Sequence, residues 1–429
     1  MRSRAASFAL ACAIGTSGIG YARALQWAGP LTLAQAIQRA RSSSFDVRMA
    51  LADAAAAAAR AAYTRSTLFP QVGVSGTTSN GGITQLGMPY AQQTYVLATA
   101  TVPIFVPSTL ETAVAAGGSA RAAGYVAAAE RNDAALLATQ NYERALLAQA
   151  IVDARAIAVN YEQRNVNDVQ VRVRVGDAAR YRLFESRAAL AQARQSLEDA
   201  SADRDEAIAD LEVLLDLAVT PDLRLADPLV PSSLPGDREA ITRRALVQRP
   251  EILAAREQLA TAQAKLAAAR AQYLPTVAAN AQSYSGRSNP PLGAMGYQVG
   301  ITASLPLIDG GSRPAATHEA QAYVVRAKAA LEEAQLSAQR DAANAWREYQ
   351  AAQRNLSAAR TQTVSAREEL RLALLRDRAG KGTTLETLVA LSDAAIAREN
   401  LLRAIARLNI AVAAVHHAAG DPFTSRESS

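Results

Sequence analysis

Few residues in this sequence have the types and spacing that chemistry needs. The histidines are His318, His416 and His417. Two adjacent histidines on a helix point to different faces, so the pair does not present two ligands to one ion. Neither an HExxH nor a GxSxG spacing occurs, which removes the usual zinc-protease and serine-hydrolase arrangements. Gly380-Lys381-Gly382-Thr383 looks like the end of a phosphate loop. However, Leu375 stands where the leading glycine belongs, and Gly382 takes the Ser/Thr position. The single cysteine, Cys12, lies in an apolar N-terminal run, so there is no disulfide framework and no thiolate metal site. No catalytic, cofactor or metal set is expected. The information lies instead in the elements that would have positioned one.

Residues 1–24 have the form of a signal peptide. Arg2 and Arg4 give a basic start, Ala5 to Gly20 is apolar, and Ala22-Arg23-Ala24 has the small-x-small form that a signal peptidase cuts. The chain carries a formal +6, of which Arg2, Arg4 and Arg23 account for three, leaving +3 on residues 25–429. Charges of both signs are interspersed, which is not a nucleic-acid footprint. No window has the length and purity of a transmembrane helix. A membrane crossing by this chain would have to use strands.

The sequence is written twice. Phe69-Pro70 recurs as Leu274-Pro275, Val102-Pro103-Ile104 as Leu305-Pro306-Leu307, Val175-Gly176 as Ala379-Gly380, and Ala36-Ile37 as Ala240-Ile241. A period this long points to duplication of a whole module rather than a solenoid. The expected units are a first repeat over 25–220, a linker at 221–237 holding Pro221, Pro228, Pro231 and Pro235, a second repeat over 238–420, and a tail at 421–429.

Each repeat has the same order of parts. A helical lead-in comes first, over about 31–66 and 238–272, ended by Pro70 and Pro275. Two extended stretches follow, near 71–80 and 94–103, then 276–285 and 297–306. Tyr297, Val299, Ile301, Ala303 and Leu305 alternate with Gln298, Gly300, Thr302 and Ser304, the period of a strand with one apolar face. At about ten residues these strands have the length that a tilted bilayer crossing needs.

Very long helices come next, within hairpins over about 109–216 and 312–419. Ser312 to Asp377 has no internal glycine, and at ~1.5 Å per residue it would extend ~99 Å. Leu331, Ala338, Ala345, Ala352, Ala359, Ala366 and Ala373 recur every seven residues, beside a second row of Ala342, Tyr349, Leu356, Thr363 and Leu370. That is a heptad seam. The turns fall at Gly176 and Gly380.

Four amphipathic strands cannot close a barrel, and an open edge in lipid is not tolerated. A barrel must therefore be shared between subunits. Two copies would give eight strands and a filled interior, and three would give twelve and a lumen. Helical hairpins packed around a ring would continue the lumen as a tube, and a tube conducts rather than catalyses. The fold class expected is mainly α with membrane β: long coiled-coil hairpins plus four transmembrane strands per chain.

The order of parts resembles the TolC family of outer-membrane efflux proteins over essentially the whole chain after residue 24. The resemblance rests on Arg249-Pro250-Glu251-Ile252 leading to Tyr273-Leu274-Pro275, on Leu305-Pro306-Leu307-Ile308-Asp309-Gly310-Gly311, and on Leu31-Thr32-Leu33 with Ala36. The first repeat departs from it, with Ser44-Phe45-Asp46 lacking the proline and Val106-Pro107-Ser108 in place of Asp-Gly-Gly. The resemblance implies a homotrimeric α/β barrel in the outer membrane with a periplasmic helical tunnel. It also implies docking of a periplasmic adaptor (membrane fusion protein) and an inner-membrane pump of RND or ABC type, for efflux or type I secretion.

By the same resemblance, the helix-turn tips meet the adaptor and close the duct. The matching positions are Val175, Gly176, Ala379 and Gly380. Glu185 and Glu386 lie near these tips, and under three-fold symmetry an inward acid becomes a ring that favours cations and could gate. Arg182 is placed to lock the closed end through a salt bridge to Glu185. The aspartate pair often found at the family's aperture has no counterpart here. The alternative is a periplasmic adaptor or scaffold with coiled-coil hairpins, which would carry one hairpin and β-rich soluble domains. A cytoskeletal coiled coil would need neither signal peptide nor strand pairs.

Overall fold

The computed structural model describes residue 27 and residues 29–81, 91–219, 223–234, 236–289, 294–379 and 381–421. The expected signal peptide at 1–24, the tip glycine Gly380, Pro221, Pro235 and all of the expected tail after Asp421 lie outside these residues.

The same six elements occur in each half. The first half runs α1 (Leu33–Ser43), α2 (Phe45–Ser66), β1 (Gln71–Gly81), β2 (Ala91–Phe105), α3 (Pro107–Arg174) and α4 (Arg180–Leu214). The second runs α5 (Arg238–Gln248), α6 (Pro250–Ala271), β3 (Thr276–Asn289), β4 (Ala294–Ser304), α7 (Ser312–Arg378) and α8 (Thr384–Ala419). Helices α3 and α7 hold 68 and 67 residues, which at ~1.5 Å per residue makes each about 100 Å long.

The lead-ins differ from the unbroken helices that the composition suggests. Each is split, at Ser44 (φ −59°, ψ 147°) and at Arg249 (φ −60°, ψ 125°). At Arg249 the cause is Pro250, whose ring pushes the preceding residue out of the helical region while itself starting α6. Ser44 takes the same conformation without a proline. The departure from the family pattern at Ser44-Phe45-Asp46 therefore leaves the turn unchanged.

Gly117, Gly118 and Gly124 do not interrupt α3. Gly118 has a packing role: a Cβ there would stand 2.5 Å from the Thr261 Oγ1 on α6. The bare glycine lets the two helices cross at a distance that any side chain would forbid.

The four strands form one antiparallel sheet in the order β1-β2-β3-β4. Pairing of β2 with β3, from Gln92↔Asn289 to Phe105↔Val277, joins the two halves across one sheet. β1 and β4 are the outer strands, each with one edge unpaired among the described residues.

Beyond the sheet, α3–α4 and α7–α8 pack as antiparallel hairpins, and α3 also lies against α6 and α8. The heptad rows of α7 face inward: Ala338, Ala345, Ala352, Ala359 and Ala366 are buried, as are Ala342, Tyr349, Leu356 and Thr363. Alanines at such positions let helix axes approach closely. Two equivalent apolar cores sit where the short helices meet the hairpins. One gathers Ile37, Tyr142, Ile208 and Leu211, and the other Ile241, Tyr349, Val412 and Val415. The expected linker ties both together. Leu31 forms a parallel bridge with Leu225, and the buried Tyr142 hydroxyl lies 2.8 Å from the Leu31 carbonyl and 2.9 Å from the Asp227 carboxylate. Further along the linker, Asn409 donates to the Val230 carbonyl at 3.0 Å and to buried Glu143 at 2.8 Å.

Candidate conduit and its closing end

The sheet separates its side chains by chemistry. Cross-strand partners share a face, so the registers Val72↔Ala100, Ala100↔Ala281, Ala281↔Val299 and Ala279↔Ile301 define one apolar face. It is bare: Val72 is 78 % exposed, Val299 74 % and Ile301 73 %. The opposite face is carried by Gln71, Thr99, Thr101, Asn280, Gln282, Gln298 and Thr302. Its amides and hydroxyls bond to one another, Asn280 Nδ2 to Thr302 Oγ1 at 3.0 Å and Gln282 Nε2 to Gln298 Oε1 at 2.7 Å. An apolar outer face with a polar inner one, on strands of 11 to 15 residues, is the pattern of a strand between lipid and a wet lumen.

At the elbow where β4 leads into α7, Asp309 organises the turn. Its carboxylate accepts from the Gly311 and Arg313 backbone N–H groups at 3.2 and 3.0 Å and pairs with the Arg313 Nε at 2.6 Å. The Arg313 guanidinium lies over the Tyr273 ring, 4.9 Å from its centre. These bonds from Arg313, side chain first and backbone second, hold the Asp309 carboxyl well below the usual carboxylate range. In the first half the corresponding start of α3 has no side-chain cap and relies on Pro107.

The lead-in elbow of the second half is held by Arg249, whose side chain is 10 % exposed. It bonds Glu251 through Nε and Nη2 and reaches Asp341 on α7 at 3.1 Å. The Arg249-Pro250-Glu251-Ile252 motif is thus a joint: arginine bridging to α7, proline and glutamate starting α6, and a fully buried Ile252.

The hairpin tips carry the candidate closing-end residues. After α3, Gly176 takes φ +84°, the Asp177 N–H donates to the Arg172 carbonyl at 2.8 Å, and the Gly176 N–H donates to Val173 at 3.3 Å. These are the two bonds of a Schellman turn. After α7, the Lys381 N–H donates to the Arg376 carbonyl at 2.9 Å, the equivalent bond one repeat later. Val175 is 72 % exposed, and Ala379 caps α7 with φ −82°; both stand at the ends of the long helices. The return helices start differently. Thr383 accepts from the Glu386 N–H at 3.2 Å, whereas Ala179 gives α4 no side-chain cap.

Of the candidate gate residues, Glu386 has a partner from the other side of its turn. The ion pair at the second tip joins Arg376 to Glu386 at 3.8 Å. Arg182 and Glu185 both lie exposed on the first turns of α4. Arg376 was missed by sequence reasoning, although it and Glu386 flank the same glycine turn with opposite charge. His416 and His417 lie instead beside Asp421 and Asp133. Among the described residues no group of His, Cys, Asp or Glu could hold a metal ion, and no helix is long and apolar enough to cross a membrane.

Residues 36–216 and 241–421 each match the sequence model of the outer membrane efflux protein family. The chain belongs to that family. The two matched blocks are offset as the repeated elements are. Among relatives, Protein CyaE of Bordetella pertussis is 28 % identical over 404 residues, covering 91 % of this chain and 84 % of CyaE. Among solved structures, the outer membrane protein VceC of Vibrio cholerae superposes with a TM-score of 0.77 at 19 % identity, covering 91 % of this chain and 97 % of VceC. The open-state MtrE outer membrane channel of Neisseria gonorrhoeae gives 0.76 at 22 % identity, covering 91 % and 89 %. Those likenesses establish the fold: a strand domain at one end and long helical hairpins at the other.

Proposed function

We propose that this efflux-family chain is one third of a passive outer-membrane duct. Three copies would close a twelve-stranded barrel by pairing β1 of one with β4 of the next, and their hairpins would continue the lumen through the periplasm. The observation that carries the reading is the sheet. Its apolar face is exposed, its polar face is hydrogen-bonded, and its two edges are open, a combination that neither water nor lipid tolerates in a lone subunit.

In this reading the tip turns at Val175, Gly176, Ala379 and Gly380 receive a periplasmic adaptor, which couples the duct to an inner-membrane pump for efflux or type I secretion. The closing end is the ring of tips near Arg182, Glu185 and Glu386, with Arg376–Glu386 as the pair that holds one turn shut. No residue is assigned a catalytic role, and cargo selection falls largely to the pump.

The test is extraction and reconstitution. The protein should require detergent, run as a heat-resistant trimer, and conduct ions in a planar bilayer. Recovery as a soluble monomer or dimer, without conductance, would refute the duct and favour an adaptor or scaffold.

A further inference from the structure

We infer that the closing end of this duct selects anions over cations, through arginines gathered at the α3–α4 tip. The inference rests on the duct reading above and adds a sign to it.

The charge of the chain is concentrated there. Residues 170–190 hold five basic side chains (Arg172, Arg174, Arg180, Arg182 and Arg187) against two acids, Asp177 and Glu185, a net +3. The repeat-equivalent residues 374–394 hold three of each sign and balance. Residues 25–429 carry +3 in total, so the two tips hold the whole excess and the remainder sums to zero. The five arginines of the first tip are exposed. At the second tip one acid is already matched, Glu386 to Arg376.

The strand end has nothing to oppose this. Residues 71–105 and 276–304 contain one charged side chain, Arg287, and the polar face is built of amides and hydroxyls. Such a lumen solvates ions of either sign and rejects neither strongly. A strong preference has to arise outside the strands.

Part of the tip's charge has a structural explanation and part does not. Arg172 and Arg174 end α3, where a helix carries partial negative charge and cations are favoured. Arg180 and Arg182 begin α4, where the helix end is already positive. That end has no acid in its first turn and no side-chain cap. The equivalent start of α8 has both Thr383 and Glu386. Arg180, the first residue of α4, sets a cation against the helix dipole and weakens the helix locally, and a residue that violates a local rule marks function. Three-fold symmetry would bring three such ends around one axis, within a Debye length of ~8–10 Å of a narrowed lumen. Charge of one sign focused in a constriction concentrates the opposite ion.

The experiment is the reversal potential of the purified wild-type channel in a planar bilayer under a KCl gradient. The expected chloride-to-potassium permeability ratio is at least about threefold. In R172Q/R174Q/R180Q the ratio should fall to about one, while the lysine triple R172K/R174K/R180K keeps it. R180Q alone should lower it without loss of assembly, since it removes a cation from a positive helix end. R243Q, distant from the tip on α5, should leave it unchanged. A potassium-preferring wild type overturns the inference and leaves the duct standing, as does a chloride preference that survives all three glutamines. Absence of any conductance overturns the duct and the inference together.

Discussion

Gly118 on α3 and Thr261 on α6 stand so close that a single added methyl would come within 2.5 Å of the threonine hydroxyl. The contact fixes how the first long helix crosses the second lead-in, and so how one half of the duplicated chain sits on the other. Gly118→Ala should cost about 1–3 kcal/mol, the usual range for overpacking. Thr261→Ala in the same chain should recover most of it. Thermal melts of the two single variants and the double variant check this, and purely additive losses would contradict it.

Asp309 gives the elbow an acid-sensitive latch. Its carboxyl is held below the usual range in the folded chain, so its stabilisation is fully present above the ordinary carboxylate pKa of about 4. It is lost as pH falls through the lower folded value. Asp309→Asn should lower the melting temperature at neutral pH and flatten the loss of stability below about pH 4. A variant with an acid limb as steep as the parent's would place that limb elsewhere.

Arg249 joins two elements through one buried guanidinium. Burial works against its charge, but the bonds to Glu251 and Asp341 outweigh it and raise its pKa. Arg249→Met should destabilise by about 1–2 kcal/mol, less than a fully buried pair because both partners are partly exposed. Arg249→Lys should recover little, since an ammonium cannot make the two-pronged bond to Glu251. Denaturant midpoints at matched pH report the difference.

Gly176 makes the turn of the first tip with φ +84°. Gly176→Val should strain the turn by about 1–2 kcal/mol, the penalty for a side chain in the left-handed region. The strands and apolar cores lie far along the hairpin, so assembly should persist while export through the reconstituted adaptor and pump falls. Unchanged export together with altered proteolysis at the tip would remove the turn from adaptor docking.

Arg376 and Glu386 offer a direct handle on closure. Arg376→Ala or Glu386→Ala removes the pair across the α7–α8 turn and should raise the probability of large single-channel openings. Exposed pairs contribute about 0–1 kcal/mol each, so the population shift is a few-fold per subunit rather than all-or-none. Equal conductance in both variants and parent would relieve the pair of any gating role.

Much of this molecule is legible in one dimension because its elements are periodic. Side chains alternate along a strand by backbone geometry, so Tyr297, Val299 and Ile301 announce one face of β4 before any partner strand is known. The seven-residue rows of α7 likewise announce its buried seam, and the duplication announces that each element occurs twice. Glycine marks the hairpin turn wherever the backbone must enter the left-handed region, as at Gly176.

Tertiary structure decided what depends on residues far apart in the chain. It joined β2 to β3, making one sheet of two hairpins. It split α1 from α2 at Ser44, where no proline signals a break. It set Gly118 against Thr261, and it paired Glu386 with Arg376 across the second tip. Local periodicity fixes which face of an element is apolar, within a turn or two of helix. Which neighbour covers that face follows from the path of the whole chain, where close approach and opposite charge are resolved only once the elements have packed.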